Sequence, residues 1–150
     1  MKPTPKGWPR LSSAVYYDDA VKAIDWLCEA FGFEVRLKVE GEGGKIVHSE
    51  LTFGDDALVM VAQSGTKPAM PLFPRGAGPA SLGGVNTQSI MLFVDSTDAH
   101  CARAKAAGAV IVDEPKVHDY GADHWADRRY GALDLEGHMW WFTERVRDPQ

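Results

Sequence analysis

The chain has 150 residues, 45% of them hydrophobic and 25% charged, with a net charge of -5. That suffices for one ordinary domain, or two very small ones sharing a core, and it excludes a large multidomain enzyme, a fibre and a disordered tail. The eight Lys and eight Arg are scattered, with Arg128-Arg129 the longest run, which argues against a nucleic-acid partner.

In chain order, a strand is predicted first, with Leu11, Ser13, Val15 and Tyr17 alternating against Ser12, Ala14 and Tyr16. Asp18-Asp19 then caps a helix that carries Val21, Ile24, Leu27, Cys28 and Phe31 at helical spacing and stops at Gly32. A strand with Val35 and Leu37 leads to the turn Gly41-Glu42-Gly43-Gly44. Strands from Ile46 to Phe53 and from Ala57 to Ala62 follow, joined by Gly54-Asp55-Asp56. Residues 65–86 hold five glycines with Pro68, Pro71, Pro74 and Pro79, and read as a connector. The pattern then restarts. Gln88 to Val94 is a strand, Asp95-Ser96-Thr97 caps a helix to Ala107, and Gly108 stops it. Val110 to Val112 is a short strand ended by Pro115, and a polar loop comes next. Arg128 to Leu133 and Met139 to Thr143 form the last hairpin.

This order is an internal repeat. Tyr17-Asp18 matches Val94-Asp95 and Gly32 matches Gly108, at offsets of 77 and 76 residues. Two modules, about 10–64 and 87–146, each combine four strands with one helix. A module of roughly 60 residues buries too little surface to stand alone, so the two are expected to pair. Cys28 and Cys101 lie far apart in predicted helices and read as buried free thiols. No signal peptide or run of about 20 apolar residues is present, so a cytoplasmic protein without membrane contact is expected.

The residues Ala14-Val15-Tyr16-Tyr17-Asp18-Asp19, Ala23-Ile24-Asp25-Trp26-Leu27, Phe31-Gly32-Phe33, Phe93-Val94-Asp95 and Asp127-Arg128-Arg129-Tyr130-Gly131 carry a family likeness. So does Asp134-Leu135-Glu136-Gly137-His138-Met139-Trp140, which is similar to a common Asp-Pro-Phe-Gly-His-x-Trp motif. Together they resemble the vicinal oxygen chelate superfamily of glyoxalase I, bleomycin-resistance proteins and extradiol dioxygenases. The resemblance implies an α+β fold of two tandem βαβββ modules, with mixed sheets curled around a cleft, in a homodimer. It also implies a divalent metal held by one ligand from the first and one from the last strand of each module. Those positions fall on Ser12, Met60, Ser89 and Trp141. Neutral hydroxyls, a thioether and an indole are poor partners for a hard divalent ion, so no metal or other cofactor is expected there.

Strand alternation places Tyr16, Met91 and Phe93 on the same side as these four positions. His48, Glu50 and Thr52 are expected to face the cleft, with Val47, Leu51 and Phe53 packed on the helix. His48 and Glu50 are candidates for ligand contact or for acid–base catalysis. In the loop before the last hairpin, Trp125 is a stacking candidate. Arg129 either binds an anionic group or holds Asp127, and alternation does not decide which of Arg128 and Arg129 faces inward. His100 and Cys101, adjacent on a helix, do not face each other and read as structural. The expected function is metal-independent binding of a small aromatic or cationic molecule, resembling drug sequestration by bleomycin-resistance proteins. The alternative is a lyase, isomerase or dioxygenase with an atypical active site.

Overall fold

A computed structural model describes residues 1–65, 72 and 74–149, so residues 66–71 and 73 of the predicted connector lie outside the described residues. The chain divides into two units, Met1–Gly84 and Val85–Gln150. The first contains β1 (Ser13–Tyr17), α1 (Ala20–Phe31), β2 (Glu34–Glu40), β3 (Ile46–Phe53) and β4 (Ala57–Gln63). The second contains β5 (Ser89–Phe93), α2 (Thr97–Ala106), β6 (Val110–Asp119), β7 (Ala126–Leu133) and β8 (Met139–Arg147). Each unit forms one mixed four-stranded sheet, in the order β1-β4-β3-β2 or β5-β8-β7-β6, and neither sheet closes. The fold is α+β with two repeated βαβββ modules, consistent with the vicinal oxygen chelate fold. Among the described residues no helix is long and apolar enough to cross a membrane.

In the first unit the Asp19 carboxylate accepts the Lys22 N–H at 3.0 Å and starts α1. Gly32 adopts a left-handed φ of 82° and returns its N–H to the Leu27 carbonyl, which ends the helix. The stripe Ala23, Ile24, Leu27 and Phe31 is buried together with Val15, Tyr17, Leu51 and Val61 of the sheet. Each fully buried large side chain contributes about 1.5–3 kcal/mol. Cys28 is only half-buried, because it sits at the margin of that stripe.

The second unit has a weaker helix and a heavier sheet. Only Thr97, Cys101 and Ala104 of α2 are buried, while Tyr130, Trp140 and Phe142 beneath it are fully enclosed. Glu144 on β8 accepts both the N–H and the hydroxyl of Thr97 (2.9 and 3.1 Å), which supports the first turn of α2 from outside the helix. The β7–β8 turn is built on Asp134, 5% exposed. The N–H groups of Glu136 and His138 donate to one of its oxygens (3.0 and 2.9 Å), and the Trp140 indole donates to the other (2.9 Å).

Two sequence expectations are corrected here. Pro115 does not end a strand: β6 continues to Asp119, with the pairing to β7 interrupted between Asp113 and Lys116 where proline offers no N–H. The last hairpin is also longer than expected, because β7 begins at Ala126 and β8 runs to Arg147. Salt bridges from Arg147 to Asp119 (2.6 Å) and from Arg145 to Asp127 (2.5 Å) tie these polar ends together, which apolar periodicity does not reveal.

Candidate functional site

In each unit the helix covers one face of the sheet and leaves the other open. On the first open face the Glu50 carboxylate is the centre. Arg36 donates to its Oε2 through Nε at 2.8 Å, and His48 Nε2 lies 3.0 Å from Oε1. Arg36 also donates to the Gly7 carbonyl, and its guanidinium lies 4.5 Å from the Trp8 ring centre. Glu50 is 8% exposed. Its carboxyl is held below the ordinary range, first by the hydrogen bond with His48 and, against the opposing effect of burial, by the bond and charge of Arg36. His48 and Glu50 therefore share a face, as their spacing implies, and they also contact each other, which the spacing alone does not state. Arg36 and Trp8 were not foreseen, because nothing in their local sequence pairs them with β3.

A cavity of about 390 Å³ opens at one end of this sheet, lined by Tyr16, Lys45, Val47, Ala62, Gln63 and Gly76 among others. Pairing of β3 with β4 stops at Leu51–Val59. Beyond it the Ser49 hydroxyl donates to the Val61 carbonyl (2.7 Å) and accepts the Val61 N–H (2.9 Å) in place of backbone bonds. Val47 is 68% exposed at this cavity and is not packed on the helix, which corrects the expectation. Phe53 is half-buried, its ring edge against Phe33 at 5.4 Å. Gly76 is required here, since a Cβ would fall 1.9 Å from the Tyr16 ring. Met60 is half-buried on β4 opposite Ala14, and Ser12 lies half-buried just ahead of β1.

The second open face is aromatic. Strand order and register set Met91, Trp141 and Gly131 in one row across β5, β8 and β7, and Phe93, Thr143 and Arg129 in the next. A Cβ on Gly131 would lie 2.7 Å from Met139 Cε and 2.9 Å from Trp141 Cζ3, so the absent side chain is the seat of the indole. The Arg129 guanidinium stands 5.1 Å from the Trp141 ring centre. Arg145 lies 5.6 Å from both the Phe93 and Trp125 rings. Met91 and Phe93 are each about half exposed (53% and 51%). Ser89, the first residue of β5, is exposed.

The ambiguity at the arginine pair is resolved. Arg128 turns to the helix side and pairs with Asp98 at 2.7 Å, while Arg129 belongs to the open face. Arg129 does not hold Asp127; Arg145 does. Gly131 was the legible signal that went unread: a glycine inside a strand marks a close approach.

With this geometry in hand, comparison with known proteins decides the family. Residues 11–142 match the Glyoxalase/Bleomycin resistance protein/Dioxygenase superfamily. The chain belongs to that superfamily. It is 32% identical over 140 residues to the uncharacterized protein Mb0911c of Mycobacterium bovis, covering 93% of this chain and 86% of that protein. The crystal structure of TioX from Micromonospora sp. ML1 superposes with a TM-score of 0.70 at 31% identity, covering 91% of this chain and 98% of TioX. TnmS3, an antibiotic binding protein from Streptomyces sp. CB03234, shares the fold with a TM-score of 0.62 at 22% identity, covering 97% and 99%.

The superfamily implies a divalent metal, and the residues present do not fit one. The positions that the resemblance assigns to the metal ligands hold Ser12, Met60, Ser89 and Trp141. Trp141 is laid into the Gly131 seat beneath a guanidinium, which repels a cation. Among the described residues no group of three or more His, Cys, Asp or Glu side chains is assembled. Glu50, the nearest to a donor, has one oxygen on His48 and the other on Arg36.

Proposed function

We propose that this superfamily member binds a small aromatic molecule without a metal and sequesters or carries it. The observation that carries this reading is Trp141, set in the Gly131 seat with Arg129 stacked on it and half-exposed Phe93 and Met91 alongside. Flat apolar groups with a few fixed polar ones are the usual lining of small-molecule sites. TnmS3 binds an antibiotic on the same fold, so the architecture is compatible with drug sequestration. The acid–base alternative has little support, because Glu50 is held ionised with both oxygens engaged and is a weak proton acceptor. In this reading the protein is a cytoplasmic homodimer, which sedimentation and cell fractionation test.

The test is tryptophan fluorescence titration with a panel of aromatic compounds, alongside elemental analysis of the purified protein. Saturable quenching that Trp141→Ala abolishes is expected. Stoichiometric Zn, Ni, Mn or Fe, or titrations that Trp141→Ala leaves unchanged, would overturn the reading.

A further inference from the structure

The charges on the second open face are unequal in their pairing. Arg145 is bonded to Asp127 at 2.5 Å and to Asp148 at 3.2 Å. Lys116, across from Arg129 on β6, is bonded to Asp113 at 2.6 Å. Arg129 differs. Its buried Nε has no hydrogen-bond partner, as is also true of Arg128 and Arg147. Those two are held in salt bridges, whereas Arg129 forms none among the described residues and lies against the Trp141 ring. A buried guanidinium N–H is rarely left so, because it loses water and gains nothing in return. Thr143, its cross-strand neighbour, is 4% exposed and its hydroxyl makes no hydrogen bond within the described residues.

We infer that this face takes a planar aromatic monocarboxylate, with Arg129 and the Thr143 hydroxyl on the carboxylate and the ring system laid towards Phe93 and Met91. The inference rests on the small-molecule reading above and names the ligand class. Guanidinium donors match a carboxylate in plane and charge, and one uncompensated cation calls for one negative charge. A phosphate ester or polyanion would bring more negative charge than the one guanidinium of Arg129 balances, in a protein whose net charge is already -5. The order β5-β8-β7 puts Phe93 and Arg129 two strand spacings apart. That is about 10 Å, the reach of a two-ring aromatic acid. A cationic ligand, allowed by the sequence alone, would meet Arg129 unshielded.

The probes are 2-naphthoate and 2-naphthamide, equal in shape and different in charge. Binding is measured by tryptophan fluorescence and equilibrium dialysis at fixed salt and neutral pH. The expected result is naphthoate at least about tenfold tighter than naphthamide, the usual weight of a hydrogen bond to a charged group. Arg129→Gln should erase that preference, and Arg129→Lys, which keeps the charge, should retain part of it. Melting temperature and near-UV dichroism establish that the variants are folded. Equal affinity for the two probes, or a preference that survives in Arg129→Gln, overturns the carboxylate assignment alone. The amide tells the failures apart: if folded wild-type protein binds neither probe and no other aromatic compound, the small-molecule reading falls with it.

Discussion

The two units share element order and sheet order, yet their open faces treat charge in opposite ways. In the first, Arg36 is bonded to Glu50 and the Gly7 carbonyl and lies against the Trp8 ring, and Glu50 is engaged by Arg36 and His48. In the second, Arg129 lies over the Trp141 indole and forms no salt bridge among the described residues. A duplicated scaffold thus sets where side chains stand and leaves open what they do, because the strand ladder depends on backbone and the open face does not. The first face spends its polar groups on itself. The second keeps one in reserve, beside exposed aromatic rings, and that difference directs the functional reading to β5, β7 and β8.

The hardest way to break the comparison is to remove what stiffens the second unit. Asp134→Ala leaves three donors, including the Trp140 indole, without their buried acceptor. The expected loss is about 3 kcal/mol, read from urea unfolding. Asp55→Ala and Asp56→Ala, in the exposed turn of the first unit, should change stability by less than about 0.5 kcal/mol. Equal effects at the two turns would show that Asp134 is no more than a surface residue.

Glu50→Gln probes the saturated face. It removes the charge between Arg36 and His48, and because Arg36 is partly exposed the expected cost is moderate, about 1–2 kcal/mol. The pH dependence follows from the direction of the shift. The folded carboxyl titrates below its ordinary value, so its stabilisation is fully present above the usual carboxylate range and is lost as pH falls through the folded value. Melting curves from neutral pH into the acid range should therefore show a steeper decline in the wild type than in Glu50→Gln. Parallel curves would sink the claim that Glu50 is held ionised by its neighbours.

Gly131→Ala moves to the reserved face. The added methyl meets the flexible end of Met139 and the rigid Trp141 ring, so the ring must shift. A stability loss of about 1 kcal/mol is expected, with altered tryptophan emission and weaker aromatic binding. An unchanged emission spectrum would mean that the glycine does not seat the indole.

How far the sequence could be read follows the same physics. Alternation and caps revealed the repeat, because Asp19, Gly32 and Ser96 act on backbone within a few residues of themselves. That His48 and Glu50 share a face was legible for a similar reason, since residues two apart on a strand point the same way. Arg36 on Glu50 and Arg145 on Asp127 join residues from different strands, and no local pattern encodes such a meeting. Pro115 was misread because a proline tells against a strand only where its missing N–H would be needed. Between the two roles open to Arg129, the salt bridge of Asp127 with Arg145 removes one, because the Arg145 partner lies on another strand and no local pattern announces it.

The finest test separates the two donors of the reserved face. Thr143→Val keeps the shape of the side chain and removes a hydroxyl that bonds nothing among the described residues. Folding stability should stay within about 0.5 kcal/mol, since no intramolecular partner is orphaned. If the hydroxyl meets a carboxylate, 2-naphthoate affinity should fall about threefold to tenfold while that of 2-naphthamide changes less. The effect should also vanish in the Arg129→Gln background, because without the guanidinium the carboxylate is no longer held against Thr143. Additive losses in the double variant would instead mean that the two side chains act on separate parts of the ligand, and the row from Phe93 through Thr143 to Arg129 would not be a single binding track.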